Sequence, residues 1–244
     1  MSAIPKPDNI DLKKEHALSL TRPPYPHSLS ARFFFFSMDL VTGKKTTLAK
    51  TKLIETLASI PYRAWEIRQY GRLTRNYHRE ELVREAEDIM VWSRHAQDNE
   101  YWHLRIINEK MRQDGVKDAW YLSRLIPFLM VTLYIFMTRL MALFSIRRAF
   151  HFNAQFEDHA ERTYARFVAD HPEWDEQPVN TPLADEVGGL ETWGDVFRRI
   201  MLDEREHMNE SFVRCGRPEH QVPYASAKED ETDSSASLPT SQQT

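Results

Sequence analysis

Cysteine is almost missing from this chain: one residue, Cys215, among 244. No disulfide can form within the chain, and a Cys-based zinc finger or iron–sulfur cluster is excluded. Glycine is scarce, with 7 residues, and β-branched runs are few, which leaves little for a sheet-and-turn architecture. A basic excess is absent as well. The net charge is −4, and most of it sits near the end, where Lys228 faces Glu229, Asp230, Glu231 and Asp233. The rest of the chain is nearly neutral, which argues against a nucleic-acid partner. The opening, MSAIPKPDNIDLKKEH, lacks both the charged start with an apolar core of a secretory leader and the Arg-rich pattern of a transit peptide. The expectation is a bacterial protein on the cytoplasmic side, with a mature organelle form as the alternative.

What is present is helical periodicity. Residues 1–28 are Pro-rich and polar and are expected to form an extended arm. Residues 29–224 are expected to form one domain, and residues 225–244 a disordered polar and acidic tail. Phe33 to Phe36 form a run too apolar for a solvated face. Four helices are predicted: about Thr47–Tyr70 with a kink at Pro61, Glu80–Met111, Leu140–Ala169 and Glu191–Arg214. Between the second and third lies the apolar stretch from Leu125 to Ile146. Its uncharged part, Leu125 to Thr138, is shorter than the roughly 20 residues a bilayer span needs. With Arg124, Arg139, Arg147 and Arg148 around it, the pattern suits a helix lying in a membrane surface; a buried core helix is the alternative.

Two segments read Glu-x-x-His: Glu100 to His103 and Glu204 to His207. Residues three apart on a helix share a face, so each pair can reach one metal. A single such pair carries little weight, because the chain has 10 His and many Glu. The stripes carry more. Leu82, Ala86, Ile89, Ser93, Ala96, Glu100, His103 and Ile107 lie on one helical face. Trp193, Phe197, Ile200, Glu204, His207 and Ser211 lie on another. Ile146, Phe150, Asn153, Glu157, Ala160, Tyr164 and Phe167 form a third, and Leu48, Glu55 and Tyr62 a fourth. Each helix thus directs a Glu inward, where an isolated charge is costly and must be paired, protonated or metal-bound. The order Glu, Glu-x-x-His, Glu, Glu-x-x-His is the ligand set of ferritin-like di-iron bundles. The predicted fold is therefore all-α: a ferritin-like four-helix di-iron bundle with additional membrane-surface helices. Two iron ions are expected on Glu55, Glu100, His103, Glu157, Glu204 and His207.

At these residues the sequence resembles the alternative oxidase family, including its plastid terminal oxidase branch. The matching pieces are LIETLASIPY around Glu55, NEYWHL around Glu100, FEDHAERTYARF around Glu157 and DEREH around Glu204, in the family order from about Lys50 to His207. The resemblance implies a monotopic di-iron quinol oxidase, often dimeric, that oxidises two quinols and reduces O2 to water without pumping protons. It implies that Tyr164 is the tyrosine held near the irons, and that Asn99 and Asp203 hydrogen-bond around the ligands. It places Lys50, Ile54, Phe156, His159, Ala160 and Thr163 at the quinol pocket. His159 stands where plastid-type members have His and many mitochondrial members have Glu. The regulatory N-terminal Cys of plant mitochondrial members is absent.

The expected partners are ubiquinol or plastoquinol, O2, a membrane lipid surface and a second copy of the chain. The expected location is the cytoplasmic face of a bacterial inner membrane or a thylakoid-type membrane. Two other readings use the same residues: a di-iron quinone-ring hydroxylase, and a non-enzymatic ferritin-like iron-binding protein. His95, His151 and His171 are read as surface or boundary residues, Cys215 as an incidental thiol.

Overall fold

The computed structural model describes residues 10–181, 183 and 189–225. Almost all of the expected tail lies outside the described residues. Among the described residues seven α-helices follow in order: α1 (Leu12–Thr21), α2 (Leu29–Thr42), α3 (Leu48–Asn76), α4 (Glu80–Gln113), α5 (Leu125–Phe144), α6 (Ile146–Ala169) and α7 (Trp193–Cys215). Among the described residues there is no strand, only an isolated bridge between Pro178 and Thr192.

α3, α4, α6 and α7 form the bundle, with α3 packed along α4 and α6 along α7. Their inner faces are the predicted stripes. In α4 every stripe residue except half-buried Leu82 is buried; in α7 all six are buried. α3 runs continuously through Pro61, which is itself buried. Side-chain caps set several helix starts: Thr47 accepts from the amide of Lys50, and Thr192 from that of Asp195. α7 ends at Gly216, whose left-handed backbone (φ 82°, ψ 30°) needs a residue without Cβ.

Two boundaries differ from expectation. The third bundle helix begins at Ile146 rather than near Leu140. Ser145 is extended, and its hydroxyl accepts from the amide of Arg148, so the apolar stretch becomes a separate helix, α5. The N-terminal segment is not simply an extended arm. Asp11 caps α1 by accepting from the amides of Lys13 and Lys14. α1 then packs on α6 and α7, with Glu15 and Ser19 fully buried. No apolar stripe marks this segment, because α1 is held by charge. Arg205 of α7, also fully buried, pairs with Glu15 and with Glu161 (2.9 Å) and donates to Ser19 (2.7 Å). Arg22 adds pairs to Asp158 (2.6 Å) and Glu161 (2.5 Å).

α5 lies along α3 and α6, burying Tyr134, Thr138 and Ala142 at four-residue steps. Its other face is open: Phe128, Leu133, Phe136, Leu143 and Phe144 are each more than half exposed. α2 sits beside it through the Phe34–Tyr134 ring contact and exposes Leu29, Phe33, Phe36 and Leu40. Twenty residues make α5 long and apolar enough to cross a membrane by length and composition alone.

Candidate metal centre

The four bundle helices bring six side chains from their inward stripes to one buried place. Glu55 comes from α3, Glu100 and His103 from α4, Glu157 from α6, and Glu204 and His207 from α7. They fall into two groups, each with ligand atoms within 4.8 Å of one another. One is Glu55, Glu100, His103 and Glu204; the other is Glu100, Glu157, Glu204 and His207. Glu100 and Glu204 belong to both. In the first group His103 Nδ1 is 3.2 Å from Glu204 and 3.3 Å from Glu55. In the second, His207 Nδ1 is 3.0 Å from Glu100 and 3.7 Å from Glu204. Two shared carboxylates flanked on each side by one Glu and one His can hold two cations as neighbours.

Electrostatics point the same way. Four carboxylates are out of water here, and both oxygens of Glu100, one each of Glu157 and Glu204, and His207 Nδ1 have no hydrogen-bond partner. His207 Nδ1 lies near Glu100 but without hydrogen-bond geometry. Buried orphans of this kind are rare unless an ion satisfies them. Burial pushes Glu157 well above the usual carboxylate range, with repulsion from Glu204 and Glu100 adding to it. Burial would lower His103, but the neighbouring carboxylates of Asp203, Glu100, Glu204 and Glu55 outweigh it and raise it well above 6.5. Burial would lower His207 too, but the nearby negative charges of Glu100 and Glu204 raise it well above 6.5. The donor set, oxygen-rich with two imidazoles, fits divalent first-row metals such as iron.

The surrounding hydrogen bonds orient these groups. Asp203 Oδ2 lies 3.5 Å from His103 Nε2, and Asn99 donates to the same oxygen at 3.4 Å. Arg199 pairs with the other Asp203 oxygen at 3.0 Å. Glu157 accepts from Tyr62 at 2.8 Å and from Asn153 at 2.9 Å, and Asn153 also donates to Ser211 at 3.1 Å. Tyr62, Asn153 and Ser211 stood on the stripes, but nothing in the sequence marked them as partners of Glu157. Tyr164 donates to Glu55 Oε1. Burial, then the charges of Glu55 and Glu204, push its phenol well above 10, so the hydroxyl keeps its proton.

The residues expected at a quinol pocket lie on the walls of α3 and α6. Three of them face α2. Lys50 Nζ is 2.6 Å from Asp39 and 2.8 Å from the Gly43 carbonyl. His159 stacks on Phe35 with ring centres 4.0 Å apart, and Phe156 meets Phe34 edge-on at 5.7 Å. Burial, with help from His27 and Lys50, lowers His159 to about 4, so it is neutral at physiological pH. Ala160 is buried, and Ile54 and Thr163 are half-buried. A cavity of about 330 Å³ approaches Glu55 and Glu100 from another side, past Val131 and Ile135 of α5. Ser59, Arg63 and Arg139 also line it, and none of the three was singled out as a site residue. Ser59 and Arg63 do continue Glu55 by fours, the one signal available.

Comparison with known proteins follows from this geometry. A family model described as Alternative oxidase matches residues 28–211. The chain is also similar to ubiquinol oxidase 4, chloroplastic/chromoplastic, of Arabidopsis thaliana, at 28% identity over 151 residues. That alignment covers 62% of this chain and 39% of the plant protein, so the chain spans well under half of that relative.

Proposed function

Since the chain belongs to the alternative oxidase family, we propose that it is a di-iron quinol oxidase working at a membrane surface, oxidising two quinols for each O2 reduced to two waters without pumping protons. The observation that carries the reading is the sharing of Glu100 and Glu204 between two buried Glu/His groups. Glu55, Glu100, His103, Glu157, Glu204 and His207 would hold the two irons. Bound there, the iron pair supplies electron transfer from quinol to O2.

The chain's own residues do the rest. Asp203, steadied by Asn99 and Arg199, orients His103 through its second ring nitrogen. Tyr62 and Asn153 fix one oxygen of Glu157 and leave the other free for a ligand. Lys50, Ile54, Phe156, His159, Ala160 and Thr163 form the quinol pocket. Neutral His159 is able to accept a hydrogen bond from a quinol hydroxyl. Tyr164 holds a proton against Glu55, next to the place where oxygen is reduced. The tightly packed aromatic and aliphatic residues around the site keep bulk water out.

Membrane attachment is supported by the open faces of α2 and α5, whose exposed Leu and Phe side chains lie side by side. α5 also buries its opposite face on α3 and α6, which favours lying on the membrane over crossing it. A homodimer is the expected assembly, from the family resemblance.

Oxygen uptake by the purified, iron-loaded protein tests the proposal. A short-chain quinol should drive cyanide-resistant uptake, with labelled oxygen recovered only in water. Label in the quinone ring would instead establish a hydroxylase. Iron binding without any quinol-dependent uptake would establish a ferritin-like protein.

A further inference from the structure

At one edge of the apolar face, α2 and α6 both begin and α5 ends. A cleft of about 1010 Å³ lies there. Its polar wall carries Arg148, His151 and Arg217, and among the described residues no carboxylate lines it. Its other wall is apolar, formed by Met137, Leu140 and Phe144 among others. Leu140 and Phe144 are 56% and 79% exposed, so the cleft opens onto the same face as the outward side of α5. Both arginines are exposed, and neither makes an ion pair among the described residues.

The basic wall is held in place. Arg217 donates to the Tyr25 hydroxyl at 2.9 Å, and that hydroxyl lies 3.1 Å from His151 Nε2. A neutral His151 accepts from Tyr25, and burial with the charges of Arg217 and His220 keeps it so by lowering its pKa. The caps of α2 and α6, Ser28 and Ser145, also line the cleft, so the positive ends of two helices add to the arginines.

We propose that this cleft binds the phosphate headgroup of an anionic glycerophospholipid, with Arg148 and Arg217 on the phosphate and the acyl chains lying over Leu140 and Phe144. The proposal rests on the membrane-surface reading above. A free phosphate would match the arginines but leave the apolar wall wet; a lipid covers both. Fork-shaped guanidinium groups suit a phosphate. The volume is that of a pocket for a sizeable small molecule. The cleft therefore gives the protein a preference for anionic membranes beyond what its apolar face supplies.

Vesicle flotation of the iron-loaded full chain tests this. Vesicles of pure phosphatidylcholine are compared with vesicles containing about one-third phosphatidylglycerol. The parent should bind the anionic vesicles more tightly, with each arginine contributing about fivefold. Arg148→Gln with Arg217→Gln should remove most of that preference while leaving iron content and binding to neutral vesicles unchanged. Arg32→Gln with Arg124→Gln, which alters exposed arginines outside the cleft, should keep the preference. Equal losses in the two pairs would mean diffuse surface charge and overturn the site. Loss of the preference in inorganic phosphate at constant ionic strength would mean a free-phosphate site and overturn the lipid assignment. A parent that binds no vesicle of either kind would overturn the membrane reading itself, which separates that failure from failure of the cleft.

Discussion

Tyr164 of α6 donates its hydroxyl to Glu55 of α3, across 109 positions of sequence, so the one phenol read as redox-active touches one of the proposed iron ligands directly. Its replacement by Phe keeps the ring and removes that contact. A purely structural hydroxyl would cost about 1 kcal/mol of stability and leave turnover largely intact. If the hydroxyl supplies an electron and a proton during oxygen cleavage, quinol oxidation falls about a hundredfold or more at unchanged iron loading. A hundredfold loss corresponds to about 2.7 kcal/mol of barrier, more than one neutral hydrogen bond supplies. Oxygen uptake at matched iron content reads the result, and a rate within about threefold of the parent removes Tyr164 from the mechanism.

Sharing of Glu100 makes it unlike Glu55 or Glu157. Glu100→Ala takes a ligand from both metal groups and should lose most of both irons, as measured by metal analysis. His207→Ala strips one group of its only imidazole and should lose most of the iron too. Chelation of the parent should lower its melting temperature, because four buried carboxylates are then left without cations. Undiminished iron in both variants would remove the site assignment.

Phe136 and Leu133 stand on the open face of α5, 70% and 72% exposed, and are not among the proposed iron ligands. Each such side chain taken into lipid is worth about 1.5–3 kcal/mol. Leu133→Glu with Phe136→Glu should move the protein from the membrane pellet to the supernatant with its iron retained. Protease accessibility should find both ends of the described chain on one side. Ends on opposite sides would mean that α5 crosses.

Arg205 is the next residue after Glu204 but points the other way, into the buried pocket between α1, α6 and α7. Arg205→Ala removes the buried cation that joins Glu15 to Glu161, leaving Glu161 its pair with Arg22, and should cost about 3–5 kcal/mol. Urea denaturation measures that loss. Limited proteolysis should show cleavage within residues 12–21 as α1 lets go. A loss below about 1 kcal/mol would show that the network holds without it.

His16 and His151 predict an acid-side loss of stability. His16 sits half-buried with its Nε2 2.7 Å from the Ala165 carbonyl; burial lowers its pKa against the pull of that carbonyl. His151 is lowered by burial, Arg217 and His220. A folded value below the unfolded 6.5 means that the folded state binds fewer protons. The contribution is fully present above about 6.5 and is lost as pH falls through the lower folded values. Metal release in acid adds its own slope. The comparison is therefore between parent and His16→Gln/His151→Gln, by urea midpoints about one pH unit above and below 6.5. The parent should lose more than the variant on acidification.

The sequence alone determined the four inward stripes and the six carboxylate and imidazole candidates. Helical periodicity is local, and a Glu placed on an apolar stripe is legible from spacing without knowing the partner helix. The family was legible too, in four short pieces around those same residues. Other features rest on contacts between residues far apart in the chain, which no local period encodes. The tertiary structure alone decided that Glu100 and Glu204 are the shared pair, because that depends on how α4 and α7 face each other. It alone joined Tyr62 and Asn153 to Glu157, 95 residues apart in the first case. Charge, not hydrophobic pattern, folds residues 12–21 into α1, through Glu15 and an arginine 190 residues away. Even the break at Ser145 was a choice between continuing an apolar helix and capping a new one. It was settled because α5 packs outward along α3 while α6 turns Glu157 into the core.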